Sequence, residues 1–325
     1  MHSFFTHAFK RRSLLLASAA VLAQPMAWAQ AVPLKIIVGF PPGGGADIFA
    51  RHVADKLKDV LNRPVIVYNK PGAGGMIAAQ QFKTMAGDAN TILMGNDHQF
   101  SMVPLTMKSP GYTAKDFVPI AGLASYRLAL TVNANSPATD VASYIARAKA
   151  DAAQANYGVP APGSLPQFIG FSLGQASGAA MNVVPYRGGA PLNTDLLGGQ
   201  IPASVDALGN VLPMHKEKKL RILAVSGTAR SALAPDVPTF AESGYRGLES
   251  SGWVAAYAAP GVSDAVAHAM GEALAKVMAD ATVREKLLQM GFEPRFSNAK
   301  ELTDTVARDT ASWEAMVKRS GFALQ

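Results

Sequence analysis

Two α/β lobes, each a mostly parallel sheet flanked by helices, are what this 325-residue chain predicts. Three observations carry the prediction. Short β-branched runs alternate with stretches of helical periodicity, the arrangement of βαβ units. Glycine- and proline-rich turns recur where those runs end. The whole pattern then restarts at Asn133-Ala134-Asn135-Ser136-Pro137.

In chain order, the first residues read as an address. Lys10, Arg11 and Arg12 precede an apolar run from Leu14 to Leu22, and Ala27-Trp28-Ala29 supplies a small-x-small pattern. A secretory signal over 1–29, cleaved after Ala29, is therefore expected. Arg11-Arg12-Ser13-Leu14-Leu15 also fits a twin-arginine export signal, with the general secretory route favoured. The apolar run is shorter than the roughly 20 residues a bilayer needs, which disfavours an uncleaved anchor.

The first lobe is assigned to 30–130 plus 254–325 and the second to 131–253. Strands are expected over Leu34–Phe40, Pro64–Asn69, Thr91–Gly95 and Leu128–Asn133, with helices at 44–61 and 75–86. Past the restart, Ser136 is placed to cap a helix through Val141, Tyr144, Ile145 and Ala148, with Pro137 at its first position. Strands at Ala155–Val159, Asn182–Tyr186, Ile201–Ala207 and Leu220–Ser226 follow, with helices over about Ser164–Gly178 and Leu192–Gly198 between them. A Pro-, Ser- and Gly-rich linker covers 231–251. After a strand at Trp253–Ala258, three amphipathic helices are expected: one capped by Ser263, one closed by Gly291, and one capped by Ser297 and ended by Gly321. They should return to complete the first lobe, leaving crossovers near 126–135 and 245–258 as a hinge.

Chemistry concentrates in the turns. Val38-Gly39-Phe40-Pro41-Pro42-Gly43-Gly44-Gly45-Ala46-Asp47 takes a strand through a bare-backbone turn into a helix. Glycines let a ligand approach main-chain N–H groups, and the helix aims unsatisfied donors and its positive dipole end at the same spot. The turn is an anion seat. No Gly-Lys-Ser/Thr ending follows, and no Gly-x-Gly-x-x-Gly spacing exists, so neither a nucleotide nor a dinucleotide cofactor is supported. A second glycine turn, Asn69-Lys70-Pro71-Gly72-Ala73-Gly74-Gly75, ends the next strand. The second lobe repeats the device at Tyr157-Gly158-Val159-Pro160-Ala161-Pro162-Gly163-Ser164 and Pro185-Tyr186-Arg187-Gly188-Gly189, with Asp206 at another strand end.

Other chemistries lack support. With no cysteine there is no disulfide, thiol catalysis or lipid-bearing residue. His52, His98, His215 and His268 show no metal-ligand spacing. No Gly-x-Ser-x-Gly elbow exposes a nucleophile, so a secreted α/β hydrolase is a distant alternative. The net charge of +7 would fall to +4 once the three basic residues of 1–29 leave, and no basic stripe interleaved with aromatics argues for nucleic acid.

Taken together, the export signal, the first two glycine turns, Pro185-Tyr186-Arg187-Gly188-Gly189, Asp195-Leu196-Leu197-Gly198-Gly199-Gln200 and Pro235-Asp236-Val237-Pro238-Thr239 carry a resemblance. The chain resembles the Bug receptors, periplasmic solute-binding proteins of tripartite tricarboxylate transporters. The resemblance spans essentially the whole chain after the signal. It implies a type II Venus-flytrap fold, a monomer that closes on a small carboxylate and presents it to inner-membrane permease subunits. A sensing subunit read by another membrane partner is the alternative role.

Carried over by motif, the ligand positions are Phe40, Gly44, Ala46 and Asp47 in the first lobe. In the second they are Gly158, Val159, Gly163 and Ser164, with Tyr186 and Asp206 beside them. The chain departs from the family pattern at Pro160 and Pro162, which remove amide donors, and at Gln167, where many members have a histidine. Asn96, Asp97 and His98 are further candidates on the first-lobe side.

Overall fold

The computed structural model describes residues 32–325. The expected export signal lies outside the described residues. Strand β1 (Leu34–Val38) is an inner strand covered on both faces, with Leu34, Ile36, Ile37 and Val38 all buried. That burial explains why it reads as a continuous apolar run rather than an alternating one. Helix α1 (Gly45–Leu61) buries Phe49, Ala50, Val53, Ala54 and Leu57 on one stripe and stops at Asn62, which adopts the left-handed conformation at φ 48°. Then come β2 (Val65–Asn69), α2 (Met76–Lys83) and β3 (Thr91–Asn96). A π-helical stretch over His98–Met102 runs into the short α3 (Val103–Thr106), and the long β4 (Val118–Tyr126) follows.

One residue, Arg127, separates β4 from β5 (Leu128–Asn133), and there the chain changes sheets. The second sheet is built from β5, β6 (Asn156–Val159), β7 (Asn182–Pro185), β8 (Ala203–Ala207) and β9 (Leu220–Val225). Its helices are α4 (Val141–Ala150), α5 (Leu165–Ser177), α6 (Gly189–Leu197) and α7 (Leu208–Lys216). The chain returns to the first sheet as β10 (Gly252–Ala258), then adds α8 (Asp264–Ala279), α9 (Ala281–Gln289), β11 (Phe292–Asn298) and α10 (Ala299–Ser320). Strand order is β11-β4-β10-β3-β1-β2 in one sheet and β7-β6-β8-β5-β9 in the other.

The two-lobed α/β architecture holds, but both sheets are mixed rather than mostly parallel. β1 is parallel to β2 and β3, while β10 is antiparallel to β3 and β4, and β11 to β4. Likewise β6 is parallel to β7 and β8, while β5 is antiparallel to β8 and β9. The cause is the double crossing. A chain that leaves on β4 and returns on β10 beside it must run in opposite directions, and so must β5 and β9 on arrival and departure.

Several local expectations also shift. Leu128–Asn133, grouped by pattern with the first set of strands, pairs in the second sheet. Asp140, not Ser136, caps α4: its carboxylate accepts from Ser143 N at 2.7 Å, while Ser136 Oγ accepts from Ala138 N in a turn. Asn298, not Ser297, caps α10: Asn298 Oδ1 takes Glu301 N at 3.0 Å, and Glu301 in turn accepts from Asn298 N at 2.9 Å. Ser263 and Gly321 sit where expected, at the start of α8 and the left-handed end of α10.

One hydrophobic core runs through both lobes, from Leu34 and Phe49 to Tyr144, Phe168 and Leu173. A smaller cluster, including Leu192, Leu196, Leu208 and Val211, covers the other face of the second sheet. Each such fully buried Leu or Phe stabilises the fold by roughly 1.5–3 kcal/mol relative to an exposed one. At the crossover the two linking strands are in register, Tyr126 opposite Gly252.

Candidate functional site

The parallel strands β1, β2 and β3 end together at one edge of the first sheet, and β6, β7 and β8 do so in the second. Such carboxyl edges are where open α/β sheets bind ligands. The first glycine turn leaves β1 there. Gly44 is the N-cap of α1, and no hydrogen bond occupies the amides of Gly45, Ala46 or Asp47 among the described residues. Gly43, Gly44 and Gly45 are exposed, while Phe40 and Ala46 are half-buried.

Asp47 is buried, and its carboxylate is fully engaged. Its Oδ2 accepts from Gly43 N (2.9 Å) and Arg51 Nε (3.0 Å) and its Oδ1 from Asn69 Nδ2 (2.9 Å), with Arg51 Nη2 also 2.9 Å from Oδ1. Burial pushes this carboxyl up, but the hydrogen bonds from Arg51, Gly43 and Asn69 outweigh it and leave it below the usual range. Asn69 Nδ2 also donates to the Phe40 carbonyl at 3.0 Å. Asp47 therefore braces the turn while the turn offers its amides. The second glycine turn packs directly behind: a methyl group on Gly39 would come within 2.8 Å of Gly75 Cα.

The second-lobe turn is braced in the same manner. Ser164 Oγ donates to the Ala161 carbonyl at 2.6 Å, and Gln167 Oε1 accepts from Gly163 N at 2.8 Å. Gln167 thus holds the loop that the two prolines stiffen. Gly163 has φ +65°, the left-handed region that favours glycine, and a methyl there would lie 3.0 Å from Thr106 of the first lobe. The Tyr186 amide donates to the Val159 carbonyl (2.8 Å) and its hydroxyl to Asp195 Oδ2 (2.8 Å). Burial, with the Asp195 bond, pushes the Tyr186 hydroxyl up to about 12. Its ring covers Gly158, where a methyl would lie 3.1 Å from the ring and collide with Leu192.

Asp206 ends β8 beside the crossover, in register with Ala129. Its carboxylate accepts from Ala207 N (2.7 Å) and Asn210 Nδ2 (3.1 and 3.0 Å), and burial raises it to about 6. On the first-lobe side, Asn96 Oδ1 accepts from Gln99 N (3.2 Å), and Asp97 accepts from Tyr126 Oη and from Trp253 N (3.3 Å). Burial raises Asp97 to about 7 and lowers His98 to about 4. Asp97 is buried, while Asn96 and His98 are half-buried. A separate groove of about 450 Å³ between α8 and the start of β4, lined by Ile120, His268 and Phe296, is remote in sequence from both turns.

Sequence reasoning missed three bracing residues. Arg51 is four residues from Asp47, an ion-pair spacing on a helix that could have been read. Arg127 and Glu293 could not: they are far apart in sequence, yet their side chains pair at 2.6 Å across the crossover.

A profile of the tripartite tricarboxylate transporter family receptor matches residues 49–322. The chain belongs to that family. Protein BugT of Bordetella pertussis is 30% identical over 295 residues, covering 90% of each chain. A UPF0065 protein of Cupriavidus necator is 31% identical over 323 residues, 98% of each. Among solved structures, the periplasmic binding protein BugD superposes with a TM-score of 0.81 at 29% identity, covering 90% of this chain and 99% of that one. An R. palustris protein solved with adipate gives 0.83 at 27% identity, covering 91% and 99%. Members of this receptor family are binding proteins of transport systems, and this chain is a solute-binding receptor rather than an enzyme. No helix of the described residues is long and apolar enough to cross a membrane.

Proposed function

We propose that the receptor binds one carboxylate of a small organic acid between the turn after β1 and the turn after β6. Phe40, Gly44, Ala46 and Asp47 would form the first wall, and Gly158, Val159, Gly163 and Ser164 the second, with Tyr186 and Asp206 behind. The observation that carries this reading is the division of labour in the turns. Their polar side chains are consumed internally, while the amides at the start of α1 have no acceptor. Amides at a helix N-terminus favour an anion without any buried arginine. The adipate-bound relative supports the ligand class.

Export by residues 1–29 with cleavage after Ala29, a monomeric state and delivery to inner-membrane permease subunits complete the proposal. Because the second wall contributes only when the lobes approach, ligand shifts the population toward the closed form. The test is a thermal-shift and calorimetric screen with succinate, adipate, malate, glutamate and nicotinate. A concentration-dependent rise in Tm for one of these classes is expected. No rise with any acid would overturn the carboxylate assignment.

A further inference from the structure

The segment after α10 ties the two lobes together at the ligand turn. Gly321, at φ +65°, ends the helix and redirects the chain, and Ser320 Oγ accepts from Phe322 N at 3.2 Å. Farther on, Gln325 N donates to the Thr106 carbonyl (2.9 Å) and Lys108 N to the Gln325 carbonyl (2.7 Å). The segment is thereby clamped to the end of α3 in the first lobe. Between these anchors the Phe322 ring reaches the second lobe. It meets Phe168 of α5 edge to face, with centroids 5.6 Å apart and an interplanar angle of 68°. A methyl group on Gly163 would lie 3.3 Å from the Phe322 ring.

Phe168 is fully buried and directly follows Gln167, whose side chain holds Gly163 N. One aromatic side chain fixed to the first lobe therefore presses on both the turn and the helix that shape the second wall. We propose that Phe322 is a positioning residue for ligand binding: it couples the Gly163 turn of the second lobe to α3 of the first and favours the closed arrangement without touching ligand. The inference rests on the receptor reading above for its effect on affinity, but its effect on lobe separation does not.

The absence of native cysteine makes the test direct. Spin labels at Lys58→Cys and Lys149→Cys, both exposed and on opposite lobes, report the interlobe distance of the full chain. In Phe322→Ala the ligand-free distance distribution should move to longer values. The Kd for whichever of the five acids binds the unmodified protein should weaken about tenfold, as expected for loss of one aromatic contact. Phe322→Leu should recover part of both effects. An unchanged distance, or a Kd within about twofold of the unmodified protein despite a changed distance, overturns the proposal. If no acid binds the unmodified protein, the carboxylate reading fails while the distance measurement still decides the role of Phe322.

Discussion

At Asp47 the carboxylate is wrapped by donors from Arg51, Gly43 and Asn69, whereas Asp97 is buried with only Tyr126 Oη and Trp253 N for company. The two respond to pH in opposite ways. Asp97 is raised from 3.8 to about 7, so the folded protein holds its proton more tightly than the unfolded chain does. The stability it contributes is complete below about pH 3.8 and is lost as pH rises through 7. Asp206 acts in the same direction up to about 6. Tm should therefore fall between pH 5 and 7.5, and Asp97→Asn should flatten that slope; an unaltered slope would show that another group governs it. Asp47 lies below its ordinary value, so its contribution is present above about pH 3.8 and disappears in stronger acid. Asp47→Asn should lose the acid-sensitive component and lower ligand affinity by disordering the first turn, measured by calorimetry. Asp47 was visible in the sequence as a motif residue. The burial of Asp97 was not, because its Trp253 partner lies 156 positions away.

Among the elements, the crossover is the most tightly specified. Arg127 donates to Glu293 from Nε (2.6 Å) and Nη2 (3.3 Å), and from Nη1 to the carbonyls of Ser226 (3.0 Å) and Ala229 (2.6 Å). Gly227, at φ +106°, makes room: a methyl there would sit 1.7 Å from Arg127 Nη1. Gly227→Ala should cost about 2 kcal/mol or more, through both backbone strain and displacement of the guanidinium. Arg127→Ala should cost a similar amount, about 2 kcal/mol, since it leaves Glu293 and two carbonyls short of a donor. Urea titrations of both variants check these values. Helix stripes and most strands could be read from periodicity, and so could the caps at Ser263 and Gly321. β4 and β11 could not, because a Pro within each run and a bulge between Pro294 and Ser297 disguise their alternation.

For the whole molecule, the continuous core is the deciding feature. Residues of both sheets share one cluster, so the lobes should unfold together rather than in sequence. Trp253 and Trp313 both pack against the first sheet, so in the protein without residues 1–29, which carry the third tryptophan, Trp28, tryptophan fluorescence reports chiefly on that lobe while far-ultraviolet dichroism reports on both. Coincident urea curves are expected, and separated curves would show independent lobes. Two lobes could be inferred from the repeated turns in the sequence. The mixed sheets could not, since strand direction follows from the double crossing and no local pattern encodes it.

If the lobes rotate about the pairing of Tyr126 with Gly252, the strand order sets how far each turn travels. With strands about 4.8 Å apart, the β1 turn stands three spacings from β4, about 14 Å from this fulcrum, and the β6 turn two spacings from β5, about 10 Å. Asp206 is one spacing out, about 5 Å. A given rotation about it would carry the β1 and β6 turns about three and two times as far as Asp206. On the proposed reading, the turns farthest from the pairing make the largest approach to the acid, and Asp206 the smallest.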